Sequence, residues 1–214
     1  MPGLSGTGRL GDDLYLLAHH EQTGVPHLQP RALGVGLAGG LLAELMLPGS
    51  IRLWRGMVMP AGGMPPADDV VRAVLGLVAR EREHLPVRDW LLFLARTVAQ
   101  DVASRLAADG YLTRAGGRRP WRGGRWVPVD ADSAFAPVVR VKTALRTAGP
   151  LPVQNAALGG LATACGLGHQ LSRWLPPGAD QRLQEAVRDL HPWLRELIAQ
   201  TRATVDAAVL SHRA

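Results

Sequence analysis

Five arginines, Arg114, Arg118, Arg119, Arg122 and Arg125, fall within 12 residues, with Trp121 and Trp126 set among them. Guanidinium groups hold phosphate and carboxylate through paired, charge-assisted hydrogen bonds. Tryptophan adds a flat apolar body with one polar edge, which suits a lipid–water boundary or a stack of bases. At an anionic membrane surface each such arginine adds about 1 kcal/mol. The alternative is a solvated hairpin whose tryptophans cover the core. A second segment, MVMPAGGMPPA from Met57 to Ala67, carries no charge and holds Met57, Met59 and Met64. Soft methionine side chains on an exposed loop suit adaptable contacts, so this loop is a candidate for membrane insertion or self-association. Folded back over the core, it would do neither.

No arrangement here points to catalysis. Gly34-Val35-Gly36-Leu37-Ala38-Gly39 spells GxGxxG. A dinucleotide fingerprint needs a strand before it and an acid about 20 residues later. Here QPRAL opens a helix, and Met and Pro occupy the later position, so close helix packing explains these glycines. The seven histidines are scattered, with no HExxH, and Cys165 has no CxxC partner. Metal-ligand spacing is therefore missing. There is no GxSxG and no Walker-type glycine loop. Asp12-Asp13 and Asp68-Asp69 stand where helices begin, in positions suited to capping. The expectation is a protein that is not an enzyme and has no metal and no cofactor.

Composition narrows the partners. The formal charge of +6 comes from 23 Arg and one Lys (Lys142) against 18 acids. That balance favours anionic partners, although so strong an arginine bias also looks like the coding bias of a GC-rich bacterial genome. A single cysteine fits a reducing, cytoplasmic setting. The N-terminus carries no secretory pattern. The longest apolar stretch, residues 32–47, has 16 residues and includes Glu44, short of the roughly 20 needed to span a bilayer. Membrane contact would be peripheral.

The pattern along the chain predicts a mainly α protein. Residues 1–8 read as a disordered leader and residues 9–212 as one domain. Asp12 or Asp13 would cap a short helix with Leu14, Leu16 and Leu17, and Val25 to Leu28 would be extended. A helix over 31–46 is apolar or small on every face, so it belongs at the centre of the domain. Ile51–Trp54 and Met57–Met59 would pair as a hairpin around Arg55-Gly56. Asp68 would cap an amphipathic helix with Val71, Val74, Leu75 and Val78 on one face. One long helix would follow from Trp90 through Leu106 to Gly110. Tyr111–Val129 reads as the basic hairpin, and helices are expected over 133–148, 152–167, 179–190 and 192–211. The 152–167 helix, VQNAALGGLATACGL, is again small and apolar all round and should be a second central helix. The predicted architecture is thus buried central helices ringed by amphipathic ones, with one or two small β-hairpins.

LGDDLYLLAHHEQTG, GLAGGLLAELMLPGSIRL, VRDWLLFLA, VASRLAADGYL and LGGLATACGL follow one another in an order that resembles the Golgi phosphoprotein three family, as in a bacterial member. The resemblance spans roughly residues 9–210. It implies a helical peripheral membrane protein that binds phosphatidylinositol 4-phosphate, on the cytosolic face of the Golgi in eukaryotes. The family's lipid site combines one Trp with several Arg. Motif by motif, Gln29 stands at the Trp position, Ala38 and Ala99 stand at two Arg positions, and Arg96 keeps its arginine. Arg31 and Arg105 are the neighbouring substitutes. The expected partners are an anionic lipid or phosphoinositide headgroup, a membrane surface and a second copy of the chain. A protein-interaction adaptor without lipid binding is the alternative. A helix ending at Gly110 before a basic hairpin also resembles a winged-helix nucleic-acid binder, a weaker match because no short helix-turn-helix precedes it.

Overall fold

The segment from Pro30 to Met46 has no polar stripe, and Glu44 is its single carboxylate. Such a helix is stable only when surrounded, and that governs the architecture. The computed structural model describes residues 6–115 and 125–210. Among them, α1 (Leu10–Leu17), α2 (Pro30–Met46), α3 (Asp69–Arg80), α4 (Val87–Leu94), α5 (Val98–Ala108), α6 (Ala131–Arg146), α7 (Val153–Ala164), α8 (Gly168–Trp174), α9 (Ala179–Arg188) and α10 (Pro192–Leu210) form the body. Helices α1, α3, α4, α5, α7 and α10 all pack on α2. Val35, Leu37, Ala38, Leu42 and Leu45 have no solvent exposure at all. Helix α7 is the second buried element, with Asn155–Ala162 enclosed between α1, α2, α9 and α10. The two apolar helices do form the hub.

Two glycines let the neighbours close on α2. A Cβ on Gly34 would sit 2.5 Å from the carbonyl oxygen of Ala95, and one on Gly36 would overlap the Cys165 sulfur. Neither site accepts a side chain without movement of its neighbour.

Two antiparallel hairpins complete the fold. In the first, β1 (Ile51–Trp54) pairs with β2 (Met57–Pro60), Arg52 opposite Met59 and Trp54 opposite Met57. Its turn places Arg55 at φ 51° and Gly56 at φ 77°, two left-handed residues as a tight hairpin requires. In the second, β3 (Leu112–Arg114) pairs with β4 (Trp126–Pro128). Residues 116–124 between them, including Arg118, Arg119, Trp121 and Arg122, lie outside the described residues.

Three local expectations are corrected. The long helix from Trp90 to Leu106 is two helices, broken at residues 95–97. Asp12 and Asp13 do not cap α1, because the helix starts at Leu10 with Arg9 as its N-cap and both aspartates are fully buried. A further short helix, α8, follows Gly166-Leu167 where the sequence pattern suggested none. Within the expected leader, Thr7 bonds Asp13 through its backbone N–H at 3.0 Å, and the Gly8 carbonyl accepts from Gln154 at 2.8 Å. Asp68 does cap α3, accepting from the Val71 N–H at 3.0 Å. The extended piece after Gly24 is present as a bridge between His19 and Pro26.

Candidate functional site

Helix α4 ends where α2 begins, and this sets the first group of residues. Gly34 rests against Ala95, the residue before Arg96. Arg31 lies one turn before Gly34 and so shares that face of α2. Arg31 and Arg96 thus belong to one corner of the molecule. Both are exposed, and neither makes an ion pair among the described residues. Helix α2 has no side-chain cap: Gln29 is its N-cap residue, exposed and unbonded through its side chain, with Pro30 at the first position. Arg31 stands in the first turn of α2, whose backbone N–H groups and dipole favour an anion, while Arg96 follows the end of α4 and lines the space between α3, α4 and α5. Of the other aligned positions, Ala99 is half-buried in the first turn of α5 and Ala38 is fully buried in α2.

Arg105 has a different task. Its guanidinium, with 5% side-chain exposure, donates from Nε to Asp12 Oδ1 at 2.8 Å and from Nη1 to Asp68 Oδ1 at 2.7 Å. Glu44 Oε2 lies 3.6 Å from Nη1. Arg9 extends the cluster, donating from Nε to Asp12 Oδ2 at 2.6 Å and pairing with Asp68 and Asp109. Glu44 also accepts the Gly11 N–H at 2.7 Å. On the other side of α1, Arg140 reaches Asp13 Oδ2 at 2.7 Å and Asn155 Oδ1 at 2.9 Å. Charges brought out of water must be paired to be tolerated, and Arg9 and Arg105 together serve four carboxylates, Asp12, Glu44, Asp68 and Asp109. Arg105 was a candidate lipid contact by resemblance; its donors are instead spent inside the fold, holding α1, α2, α3 and α5 together.

Glu44 is the least compensated member. Burial, with Asp12 and Asp68 nearby, outweighs Arg105 and the Gly11 N–H and pushes its carboxyl up to about 7. A carboxyl whose folded pKa lies above its unfolded value binds its proton more tightly in the folded state. Its contribution to stability is full below the ordinary carboxylate range and is lost as pH rises from about 4.5 to about 7. At 1.36 kcal/mol per unit, the cost at pH 8 approaches about 3 kcal/mol. We expect Glu44→Gln to stabilise the protein by about 1–3 kcal/mol at pH 8 and to be nearly neutral at pH 4.5. Urea unfolding at the two pH values measures this, and an equal effect at both would contradict it.

A cavity of about 670 Å³ lies between α3, α4 and α5, with Leu77, Phe93, Leu94 and Arg96 toward one end and the Arg9–Asp109 pair at the other. The first hairpin supplies a separate exposed apolar group. Ile51 and Leu53 point inward, so Arg52 and Trp54 point out. Trp54 is 61% exposed beside Met57, the Arg55 guanidinium lies 5.7 Å from its ring, and Met64 is 80% exposed. Met59 is half-buried. Sequence reasoning favours the methionines and misses Trp54, although strict alternation in Ile51-Arg52-Leu53-Trp54 turns it outward. In the second hairpin Arg125 is exposed, and Arg114 stacks over Trp126 at 4.5 Å. Cys165 is buried, and burial pushes its thiol up to about 12.

No helix among the described residues is long and apolar enough to cross a membrane. The order of elements, with an enclosed α2 and α7, peripheral helices and two small hairpins, is that of one mainly helical domain with basic positions at its α2–α4 corner. The pattern of the Golgi phosphoprotein 3 (GPP34) family matches residues 10–208, nearly the whole of the 214-residue chain. The protein belongs to that family. Among curated proteins, no relative matches the chain.

Proposed function

We propose that this protein is a non-enzymatic, cytoplasmic, peripheral membrane protein that binds anionic phospholipid headgroups, with phosphatidylinositol 4-phosphate the ligand its family resemblance implies. The observation that carries the reading is the pair of exposed guanidinium groups, Arg31 in the first turn of α2 and Arg96 next to the Gly34–Ala95 contact, neither with an ion pair among the described residues. A headgroup phosphate needs several charge-assisted donors, and this corner offers them without dismantling an existing ion pair. Trp54, Met57 and Met64 supply exposed apolar and interfacial side chains suited to the outer layer of a bilayer or to a second copy. Arg125 at the foot of the second hairpin adds to the basic surface.

Vesicle co-sedimentation tests the proposal. With each arginine worth about 1 kcal/mol at an anionic surface, Arg31→Ala/Arg96→Ala should weaken partitioning about thirtyfold. Arg146→Ala, an exposed arginine on another helix, should change it little. Phosphoinositide vesicles should retain the protein better than phosphatidylserine vesicles of equal charge. Binding that falls equally for every arginine removed and disappears with salt would leave only generic attraction. A salt-dependent shift of DNA without vesicle binding would favour the nucleic-acid reading.

A further inference from the structure

Beside α7 a second cavity combines an apolar floor with two exposed arginines. Helices α7, α8, α9 and α10 enclose about 520 Å³ there. The floor is made where Gly160 lets Val187 of α9 and Ile198 of α10 meet α7, with Leu171 and Leu183 completing it. A Cβ on Gly160 would stand 2.8 Å from Ile198 Cδ1. Arg188 and Arg202 belong to the rim; both are exposed, and neither has an ion pair or side-chain hydrogen bond among the described residues. Asp180, the one carboxylate of the lining, accepts from the Ser172 hydroxyl at 3.3 Å. It begins α9 while Arg188 ends it, so the two are about 12 Å apart along the axis at 1.5 Å per residue.

We propose that this cavity binds a single-chain anionic amphiphile, its chain over the Gly160–Val187–Ile198 floor and its carboxylate or phosphate held by Arg188 and Arg202. The volume falls within the roughly 300–1,000 Å³ of small-ligand sites, whereas a partner helix about 10 Å across needs a longer trough. Two exposed guanidinium groups, unpaired among the described residues, at the rim of an apolar floor match a ligand with one anionic end and one hydrocarbon end. Arg202 also lines a neighbouring pocket that reaches Gln29 and Ala32 at the α2 start, whereas Arg188 and the apolar floor line this cavity and not that pocket.

Isothermal titration of the full chain with oleate and with a lysophosphatidic acid, below micelle-forming concentrations and without vesicles, tests this. We expect one molecule bound per chain, and at least about tenfold weaker binding in Arg188→Gln/Arg202→Gln. Ser172→Phe, which adds a ring at an exposed lining position, should block binding while thermal unfolding stays unchanged. Arg146→Gln, the same charge loss elsewhere, should leave the affinity as it is. Oleylamine, with a cationic head on the same hydrocarbon chain as oleate, should bind more weakly than oleate. Failure of both anionic probes to bind one-to-one, equal affinity for oleylamine and oleate, or an affinity indifferent to the two arginines would overturn the proposal.

Discussion

Replacing Arg105 with methionine is expected to destabilise the protein by about 3–5 kcal/mol at pH 7, the usual cost of removing one partner from a buried ionic cluster. The methionine fills much of the space, so the loss comes from charge rather than from a cavity. Asp12 would keep only Arg9, Asp68 would lose its 2.7 Å bond, and Glu44 would lose its nearest cation. Arg96→Met removes the same charge from an exposed site without an ion pair among the described residues and should fall within about 0.5 kcal/mol of the parent. Adding Glu44→Gln to Arg105→Met should recover part of the loss, because one uncompensated carboxylate is then neutral. Urea unfolding of the four proteins measures all of this. Equal effects of Arg105→Met and Arg96→Met would mean that the buried cluster holds nothing together.

The second large effect is a coupling between the two central helices. Gly36 faces Cys165, at the C-terminal end of α7, so closely that an added Cβ would overlap the sulfur. Gly36→Ala should therefore cost about 1–3 kcal/mol through overpacking, despite the better helix propensity of alanine. In a Cys165→Ala background the sulfur is gone, and the next neighbours, Cys165 Cβ at 3.4 Å and Leu14 Cδ2 at 3.6 Å, are in ordinary contact. There the same substitution should be neutral or slightly stabilising. The double-mutant cycle should return a coupling of at least about 1 kcal/mol. Simple additivity would show that α2 and α7 do not meet at this point.

The elements that sequence reasoning found are those with strong local signals. Helices α2 and α7 announce themselves by having no wet face, and burial of Val35–Ala38 and Ala156–Ala162 follows from that. Arg55-Gly56 marks the first hairpin because the turn needs two left-handed residues. The misses have long-range causes. Residues 95–97 hold no glycine or proline, and the helix breaks where the Ala95 carbonyl backs onto Gly34, some 60 residues away. Asp12 and Asp13 look like capping residues, but their partners Arg105 and Arg140 lie 93 and 127 residues away in the chain. Nothing local distinguishes an aspartate that caps from one that meets a distant guanidinium.

The candidate site was legible only in part. Arg31 and Arg96 were picked by position in a motif, and the Gly34–Ala95 contact is what joins them. Arg105 was picked in the same way, and its burial among three carboxylates could be seen only in three dimensions. Trp54 is readable from the alternation of β1, a weaker local signal than the methionine-rich loop beside it.

Hydrogen exchange read by mass spectrometry, with and without phosphoinositide vesicles, addresses the headgroup corner most directly. The α2 start at residues 29–33 and the α4–α5 break at residues 95–99 should slow markedly when vesicles are present, together with the Trp54–Met57 turn. Protection confined to other surfaces, with exchange at both of those segments unchanged on vesicles that bind the protein, would contradict the assignment.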